Sequence, residues 1–439
     1  MKKVALHNLG CKVNSYETEA MRQSLEENGY EIVSFNENAD IYIINTCTVT
    51  NIADRKSRQM LHRAKKLNKN AIVVAVGCYV QAAGEALKDD DSIDIIVGNN
   101  NKSDIVNILN AYFESDSCNV FIKDISKGSE YDEMEMSTMG EHTRAFVKIQ
   151  DGCNQFCTYC IIPYARGRIR SRSLEDIRRE IPKLAECGYK EIVLTGIHLS
   201  SYGRDMKDSG LTLIDAIKEV CKVKGIERVR LGSLEPGIVT EEFLLELSKL
   251  DKFCPHFHLS LQSGCEDTLK RMNRHYTPDE YLDRCKLIRK YFYKPAITTD
   301  VIVGFPGETE EEFATTERFL EDVAFSEMHI FKYSKRAGTV AAKMENQVKD
   351  QIKSIRSDKL IELGDKLRAE YIYSFVGEER DVLIEEEIMY EGERYLTGHT
   401  KEYIRVYLKG TSEMINNIVG VKIINVIKNQ ILLAVIQEM

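Results

Sequence analysis

The chain has 439 residues, of which 43% are hydrophobic and 29% are charged, and its formal net charge is -9. These values are typical of a globular protein of about three domains and exclude a disordered or fibrous chain. No apolar run reaches the roughly 18 to 20 residues of a membrane helix, and the first residues lack the apolar core of a signal peptide. We therefore expect a cytoplasmic protein that has neither a membrane nor DNA as a partner.

The first hundred residues alternate short β-rich runs with helical patterns. Residues 72–76 are all apolar, as expected for a strand that is buried on both faces of a parallel sheet. This pattern predicts a small parallel α/β domain over residues 1–113, followed by a linker over 114–142, where the periodicity is lost. The predicted strands are 4–9, 40–45, 71–77 and 93–97, and the predicted helices are 16–28, 51–67 and 101–113.

A second series of β and α patterns begins near residue 145. Six βα units predict a partial (β/α)6 barrel, which we place at residues 143–370. Ligands of such sheets bind at the carboxyl ends of the strands, so the functional residues are expected there. The predicted strands are 145–149, 190–195, 228–232, 256–261, 296–303 and 327–333.

Residues 371–439 change to a period of two, which is typical of β-strands. Five short strands within about 60 residues predict a small five-stranded β-barrel, similar to OB-like folds that bind nucleic acids. The predicted strands are 382–386, 394–398, 404–408, 421–427 and 431–436. The fold class is therefore α/β with a C-terminal β-barrel.

Three cysteines follow the first predicted barrel strand in a C-x3-C-x2-C run, namely Cys153, Cys157 and Cys160. A chain with this cysteine content should contain roughly 0.01 such runs by chance. Thiolates hold iron-sulfur clusters, and three of them leave one iron of a four-iron cubane open to a small molecule. A zinc knuckle or core thiols are the alternative, but zinc needs a fourth ligand and the nearest further cysteine is Cys187.

Three more cysteines, Cys11, Cys47 and Cys78, each follow a predicted strand of the N-terminal domain. Because the carboxyl ends of parallel strands meet at one edge, these thiols can converge. Gly10 and Gly77, each directly before its cysteine, permit tight turns. By spacing alone, a second cluster and buried free thiols are equally good interpretations. The remaining cysteines share no spacing and are interpreted as packing residues: Cys118, Cys187, Cys221, Cys254, Cys265 and Cys285.

Motifs along nearly the whole chain resemble those of the radical S-adenosylmethionine methylthiotransferases. They are Leu9–Asn14, Ile44–Val49, Val76–Cys78, Cys153–Arg172, Ser233–Pro236, His258–Gly264 and Thr299–Glu308. The resemblance implies a 4Fe-4S cluster on Cys153, Cys157 and Cys160 in a radical core and an auxiliary 4Fe-4S cluster on Cys11, Cys47 and Cys78. It also implies a C-terminal TRAM domain that binds RNA. Ser260 stands where proline is common, which affects only the local backbone.

The residues around Cys11 distinguish branches of this family. The run Gly10–Asn14, followed by Ser15–Thr18, resembles the branch that methylthiolates C2 of N6-threonylcarbamoyladenosine at tRNA position 37. The alternatives are the branches that act on isopentenyladenosine 37 or on an aspartate of a ribosomal protein. An alternative of another class is a non-catalytic iron-sulfur redox protein that binds RNA without cleaving S-adenosylmethionine.

The resemblance also implies how the reaction proceeds and which partners it needs. One S-adenosylmethionine methylates a sulfur of the auxiliary cluster, and a second, bound at the open iron, is cleaved to a 5'-deoxyadenosyl radical that activates the adenine C2. No catalytic side chain is expected, because acids and bases cannot usefully ionise this C–H bond. The expected partners are the tRNA anticodon stem-loop, an electron donor such as flavodoxin or ferredoxin, and a sulfur source.

Contacts to the cosubstrate and to RNA are predicted from polar and basic residues. Residues 55–70 hold seven Lys or Arg and no acid, and residues 164–172 hold four Arg and no acid, which can offset the acidic average of the chain. A solvated helix face is the alternative for the first segment, and turn or capping roles are the alternative for the strand-end residues. For S-adenosylmethionine the candidates are Tyr159, Thr195, Gly196, Ser233, Glu235 and Gln262. For RNA they are Arg55, Arg58, Arg166, Arg168, Arg170, Arg172 and Arg405, with stacking through Tyr395, Tyr403 and Tyr407.

Overall fold

The computed structural model describes residues 1–115, 120–126, 130–137, 143–206 and 209–437. Cys118, for which packing was predicted, and the linker positions 116–119, 127–129 and 138–142 lie outside the described residues. Across the described ranges, no helix combines the length and apolar character needed to cross a membrane.

The N-terminal domain is a six-stranded parallel sheet in the order β2-β1-β3-β4-β5-β6, with helices on its faces. Its strands are β1 (Lys3–Asn8), β2 (Glu31–Ile32), β3 (Ile41–Thr46), β4 (Ile72–Gly77), β5 (Ile95–Val97) and β6 (Val120–Phe121). Its helices are α1 (Lys12–Glu27), α2 (Asn51–Leu67), α3 (Cys78–Ala83) and α4 (Ile105–Ser115). The edge strands β2 and β6 were not predicted, because two residues are too few to show a period.

The central domain contains all six predicted barrel strands. They are β7 (Arg144–Asp151), β9 (Glu191–Gly196), β10 (Arg228–Leu231), β11 (His256–His258), β12 (Ala296–Val303) and β13 (Glu327–Lys332). A short antiparallel strand, β8 (Arg170–Ser171), pairs with the end of β7. The helices are α5 (Ile162–Arg166), α6 (Leu174–Glu186), α7 (Leu213–Lys222), α8 (Glu241–Ser248), α9 (Glu266–Arg271), α10 (Pro278–Tyr291), α11 (Glu310–Val323) and α12 (Asp350–Tyr373). Parallel bridges at Val229–Phe253 and Leu234–Leu259 join the β10 and β11 sides, so the predicted partial barrel is confirmed.

The C-terminal domain is a closed five-stranded barrel in the order β14-β15-β16-β18-β17, as predicted. Its strands are β14 (Glu379–Tyr390), β15 (Glu393–His399), β16 (Arg405–Leu408), β17 (Ile418–Ile427) and β18 (Ile431–Ile436). All its strand pairs are antiparallel except β16 with β18. Its core is made of alternating buried residues such as Val382, Ile384, Val421 and Ile423.

The small barrel packs against buried arginines near the start of the central strands. Arg228 donates to the carbonyl oxygens of His399 (2.8 Å) and Asp381 (2.7 Å). Arg230 donates to the carbonyl oxygen of Lys401 at 2.7 Å. Tyr403, for which RNA stacking was expected, instead stacks on His399 with ring centroids 4.6 Å apart, in the interface between the two barrels.

The N-terminal domain packs along the open side of the partial barrel. Helix α1 lies against β7, the outermost parallel strand on this side of the barrel. On the opposite side, Asn51 donates to the carbonyl oxygen of Lys335 at 3.1 Å, and Arg336 forms an ion pair with Asp54 at 2.7 Å. Within the predicted linker, the Met136 backbone N–H donates to Glu180 of α6 at 2.7 Å. The described part of the linker is therefore packed between the two domains.

Candidate functional site: two cysteine trios

The structure brings the three N-terminal cysteines to one edge of the parallel sheet. Thr46 on β3 pairs with Gly77 on β4, so Cys47 and Cys78 directly follow two paired positions. Gly10 has a φ of +110°, and a Cβ at this position would lie 3.1 Å from Cys47 Sγ. Glycine is therefore required where the loop carrying Cys11 crosses Cys47. The convergence expected from the strand ends is present.

The side chain of Asn14 bridges the loop that carries Cys11 and the loop that carries Cys47. Its side-chain amide donates to the carbonyl oxygens of Leu9 (2.7 Å) and Thr46 (3.1 Å). The Oδ1 atom of the same Asn14 amide lies 3.9 Å from the Cys11 thiol. One buried amide thus fixes the turn before Cys11 against the turn before Cys47.

The second trio lies in the loop that follows β7. The Cys160 backbone N–H donates to the Cys157 carbonyl oxygen at 2.9 Å, and the Cys153 N–H donates to the Gly167 carbonyl oxygen at 3.0 Å. Thr158 is tied across to Met272 by a 3.0 Å backbone hydrogen bond. The loop is therefore held at both ends, with its three thiols grouped at the carboxyl edge of the barrel.

Burial weakens the acidity of three of these thiols. It raises the pKa of Cys47 and of Cys153 to about 11 and that of Cys160 to about 12, and neighbouring thiols contribute in the same direction. Without a metal these groups hold their protons at neutral pH. A metal centre that binds them must release those protons, so loading of the site is expected to be favoured at higher pH.

Each trio contains one sulfur that accepts a hydrogen bond from an arginine. Arg166 Nε donates to Cys78 Sγ at 3.2 Å, and Arg274 Nη1 donates to Cys157 Sγ at 3.3 Å. A guanidinium is always a cationic donor, so it interacts far better with a thiolate than with a thiol. The donor sets therefore fit thiolate-ligated clusters rather than neutral packing cysteines.

The two trios lie close to each other. Helix α5 follows Cys160, packs against α3, which begins at Cys78, and is only five residues or ~8 Å long. Asn99 joins the two helices, donating to the Ala165 carbonyl oxygen at 2.6 Å and to Cys78 Sγ at 3.5 Å.

A cavity of about 240 Å³ opens beside the second trio. Its walls include Gln155, His198, Glu235, Arg274 and Tyr276. Arg274 forms a 2.6 Å ion pair with Glu235 and also contacts Cys157 Sγ. Glu235 was predicted from the sequence, whereas Arg274 and His198 were not, because nothing in their local sequence indicates that they approach the cysteine loop.

The other predicted cosubstrate residues do not line this cavity: Thr195 and Gly196 end β9, Ser233 and Gln262 follow β10 and β11, and Tyr159 lies in the cysteine loop. Thr195 is buried at the end of β9, and Ser233 is exposed. A Cβ on Gly196 would lie 2.9 Å from the Gln150 side chain. Gln262 has a φ of +72° and joins β12 through two 2.9 Å backbone hydrogen bonds. Tyr159 packs edge-on against Phe305, with ring centroids 6.4 Å apart.

The predicted RNA-contacting arginines divide into two groups. Four are exposed: Arg55, Arg58, Arg168 and Arg405. Arg166, Arg170 and Arg172 are buried and form ion pairs with acids of the protein itself, which corrects their assignment as RNA contacts. A buried guanidinium requires anionic partners, and here those partners come from α1, β7 and α6. Because none of these acids lies within residues 164–172, that segment by itself indicates an unpaired basic segment.

Comparison with known proteins is consistent with this arrangement. The family model of the Radical SAM superfamily matches residues 147–320, and that of Uncharacterized protein family UPF0004 matches residues 3–98. The chain is 43% identical over 425 residues to "Threonylcarbamoyladenosine tRNA methylthiotransferase MtaB" of Bacillus subtilis (strain 168), covering 97% of this chain and 94% of that protein. It is 42% identical to the protein of the same name in Aquifex aeolicus (strain VF5), over 90% of this chain and 95% of that protein.

A relative of lower identity and a solved structure with a similar fold are consistent with these matches. The chain is 38% identical to a "tRNA-2-methylthio-N(6)-dimethylallyladenosine synthase" of Clostridium botulinum (strain Hall / ATCC 3502 / NCTC 13319 / Type A), over 94% of this chain and 93% of that protein. The fold is similar to that of the radical S-adenosylmethionine methyltransferase TsrM of Kitasatospora setae, with a TM-score of 0.55 at 15% identity over 75% of this chain and 73% of TsrM. The radical SAM match implies a 4Fe-4S cluster and S-adenosylmethionine as cofactors of the central domain. The chain belongs to the radical S-adenosylmethionine methylthiotransferase family.

Proposed function

We propose that this enzyme methylthiolates C2 of N6-threonylcarbamoyladenosine at position 37 of the tRNA anticodon stem-loop. The observation that carries the proposal is the pair of cysteine trios, a short helix apart, in a chain 43% and 42% identical to two proteins named for this reaction. We assign residues 1–113 to the methylthiotransferase domain, 114–142 to a linker, 143–370 to the radical core and 371–439 to the TRAM domain.

We further propose two 4Fe-4S clusters, one on each trio. When bound, the clusters and S-adenosylmethionine supply the radical and the methylthio group. The chain supplies the six thiolate ligands. The Glu235–Arg274 ion pair holds the Arg274 guanidinium beside Cys157. The remaining proposed cosubstrate contacts lie at or after the carboxyl ends of barrel strands or in the cysteine loop: Thr195, Gly196, Ser233, Gln262 and Tyr159. Reductive cleavage consumes an electron and the product retains a sulfur, so a flavodoxin or ferredoxin and a sulfur source are proposed partners.

The proposal is tested by mass spectrometry of tRNA nucleosides from cells with and without the gene. Loss of 2-methylthio-N6-threonylcarbamoyladenosine, with accumulation of its unmodified precursor, supports the assignment. Loss of the 2-methylthio isopentenyladenosine derivative instead, or of a modified ribosomal protein aspartate, would contradict it.

Lys12 supports the choice of substrate. It begins α1 directly after Cys11, is exposed to solvent, and has no ion-pair partner within the described part of the chain. Although the side chain is reached by solvent, the protein atoms around it partly desolvate it and lower the pKa of Lys12; the positive charges of Arg230 and Arg144 lower this pKa further, whereas Glu191 opposes them. Lys12 is therefore acted on by two neighbouring cations, Arg230 and Arg144. The threonylcarbamoyl group carries a carboxylate, whereas a dimethylallyl group is uncharged.

We expect the Lys12→Gln variant to methylthiolate threonylcarbamoyladenosine stem-loops with a kcat/KM about tenfold lower, which is about 1.4 kcal/mol. The reason is the loss of an ion pair to the substrate carboxylate. The readout is single-substrate kinetics with stem-loops that carry or lack the carboxylate, the latter as its methyl amide. Equal losses on both substrates would show that Lys12 does not recognise the carboxylate.

For RNA binding, the exposed arginines are the proposed phosphate contacts. Replacing Arg55 and Arg58 of α2 together by Gln should weaken tRNA binding and reduce the slope of log K against log salt by about 0.7 to 0.9 for each phosphate that is no longer bound. Affinity measured across a salt series checks this. Arg178→Gln, which removes an exposed arginine paired with Glu219 on the outside of the barrel, is the control. An unchanged slope in the double variant would exclude this helix face.

A further inference from the structure

Arg166 connects the radical core to the N-terminal trio. It is the last residue of α5, and its side chain is completely buried. Besides donating from Nε to Cys78 Sγ at 3.2 Å, it donates from Nη1 to Glu17 (2.7 Å) and from Nη2 to Asn14 (2.6 Å). These three partners all belong to the N-terminal domain. One guanidinium of the core thus contacts a proposed cluster ligand, a buried carboxylate and the amide that holds the cysteine loops.

The surroundings of Arg166 contain more positive than negative charge. The buried, ion-paired side chains of this network are four cations and two anions, which leaves a formal excess of two positive charges. The cations are Arg166, Arg170, Lys102 and Lys148, and the anions are Glu17 and Asp151. Buried charges in excess are costly unless a counter-charge lies nearby. Protonated thiols cannot provide one.

An iron-sulfur cluster on Cys11, Cys47 and Cys78 would provide that counter-charge. A four-iron cluster held by three thiolates is anionic, and an added electron makes it more so. Hydrogen bonds to ligand sulfurs and nearby charges are two of the means by which proteins adjust cluster potentials. Arg166 supplies both, because it donates to Cys78 Sγ and carries one of the excess charges.

We propose that Arg166 is a positioning residue that sets the reduction potential of the auxiliary cluster, with the buried network of Glu17, Lys102 and Lys148 as its electrostatic support. This rests on the proposed function, which places a second cluster on the N-terminal trio. The network stabilises the reduced, more anionic cluster. Since Arg166 lies six residues after Cys160, it also makes the electrostatics of one cluster depend on the loop that carries the other.

A purely structural role for Arg166 makes a different prediction. If the network only held the domains together, removing a cation and removing an anion would both loosen the site, and their effects on the potential would not be opposite. If the network acts by charge, removing a cation must make the potential more negative, and removing an anion must make it more positive. The sign of the shift therefore separates the two roles.

The test uses the full chain with Cys153, Cys157 and Cys160 all changed to Ala, so that only the N-terminal trio can hold a cluster. This parent protein and its variants are reconstituted anaerobically with iron and sulfide, and the cluster is titrated by EPR at controlled potentials. We expect Arg166→Gln to disfavour reduction at least tenfold, which is a shift of about 59 mV to more negative potential for one electron. Glu17→Gln should shift the potential in the opposite direction.

Arg172→Gln is the matched control. Arg172 is equally buried in the same segment, but its partners are Glu133, Glu180 and the Met134 carbonyl oxygen, and it contacts no cysteine among the described residues. Its removal should leave the potential unchanged. If Arg166→Gln fails to fold, Lys102→Gln decides the sign, because it removes a network cation and leaves the Arg166–Cys78 hydrogen bond in place.

The outcomes distinguish the inference from the function on which it rests. If the parent protein binds no iron at the N-terminal trio, the proposed second cluster is wrong. If the parent binds a cluster and the cation and anion variants shift its potential in the same direction, or not at all, the role of Arg166 is overturned. Opposite shifts with an unmoved control establish it.

Discussion

Replacing Cys157 with alanine is expected to abolish 5'-deoxyadenosine formation by the reduced, reconstituted enzyme. The change removes one of three thiolates from the loop after β7 and leaves Arg274 without its sulfur acceptor. A cluster held by two cysteines does not keep the open-iron arrangement that binds S-adenosylmethionine. Chromatographic measurement of 5'-deoxyadenosine in the presence of dithionite is the readout.

Two further variants make this result specific. Cys187→Ala removes a cysteine that lies outside both trios and donates to the Ser137 carbonyl oxygen at 3.1 Å, so it should leave product formation intact. Cys78→Ala should retain 5'-deoxyadenosine formation but lose transfer of the methylthio group to tRNA. Undiminished 5'-deoxyadenosine from the Cys157 variant would contradict the cluster assignment, and full methylthiolation by the Cys78 variant would contradict the role of the N-terminal trio.

The largest effect on stability is expected at Glu191. This buried carboxylate on β9 forms ion pairs with Arg230 (2.8 Å), Arg144 (3.4 Å) and Arg228 (3.8 Å), and these arginines hold the C-terminal barrel. Changing Glu191 to Gln leaves three buried cations short of a counter-charge. We expect the free energy of unfolding to fall by about 3 kcal/mol.

The ionisation of Glu191 should make the stability of the protein depend on pH. Burial opposes ionisation of Glu191, but the arginines prevail and lower its pKa to about 2 from an ordinary value of 4.5. Because the folded-state pKa is depressed, its stabilising contribution is complete above pH 4.5 and is lost as the pH falls towards 2. Denaturant unfolding at pH 7 and between pH 5 and 3 measures both effects.

The control for Glu191 is Glu241→Gln, which removes an exposed carboxylate paired with Lys290 at 2.8 Å. Exposed ion pairs contribute little, so the unfolding midpoint should hardly move. If the Glu191 variant unfolded at the same denaturant concentration as the parent at pH 7, the arginines would not depend on this carboxylate.

Much of the site could be predicted because its signals are local in sequence. The C-x3-C-x2-C spacing is contained within eight residues, and Cys47 directly follows a strand whose apolar run is evident from the sequence. Because the carboxyl ends of parallel strands meet at one edge of a sheet, Cys11 and Cys78 could be predicted to lie near Cys47. The family assignment followed from the same motifs and is confirmed by the relatives.

The arginines show where local signals are insufficient. Residues 164–172 contain four arginines and no acid, yet Arg168 is exposed while Arg166, Arg170 and Arg172 are buried. Nothing within that segment distinguishes them, because burial depends on where α1, β7 and α6 place their carboxylates. Arg274 illustrates the same point, since its contacts to Cys157 and Glu235 span 117 and 39 residues of chain.

The amino-acid sequence by itself determined the three-part fold, the division of six cysteines into two trios and the family. The reason is that periodicity and ligand spacing are properties of short stretches of chain. Only the tertiary structure decided which cations face solvent and which are enclosed with acids beside a thiol. The physical reason is that the cost of burying a charge depends on every group around it in space, and those groups come from distant parts of the chain.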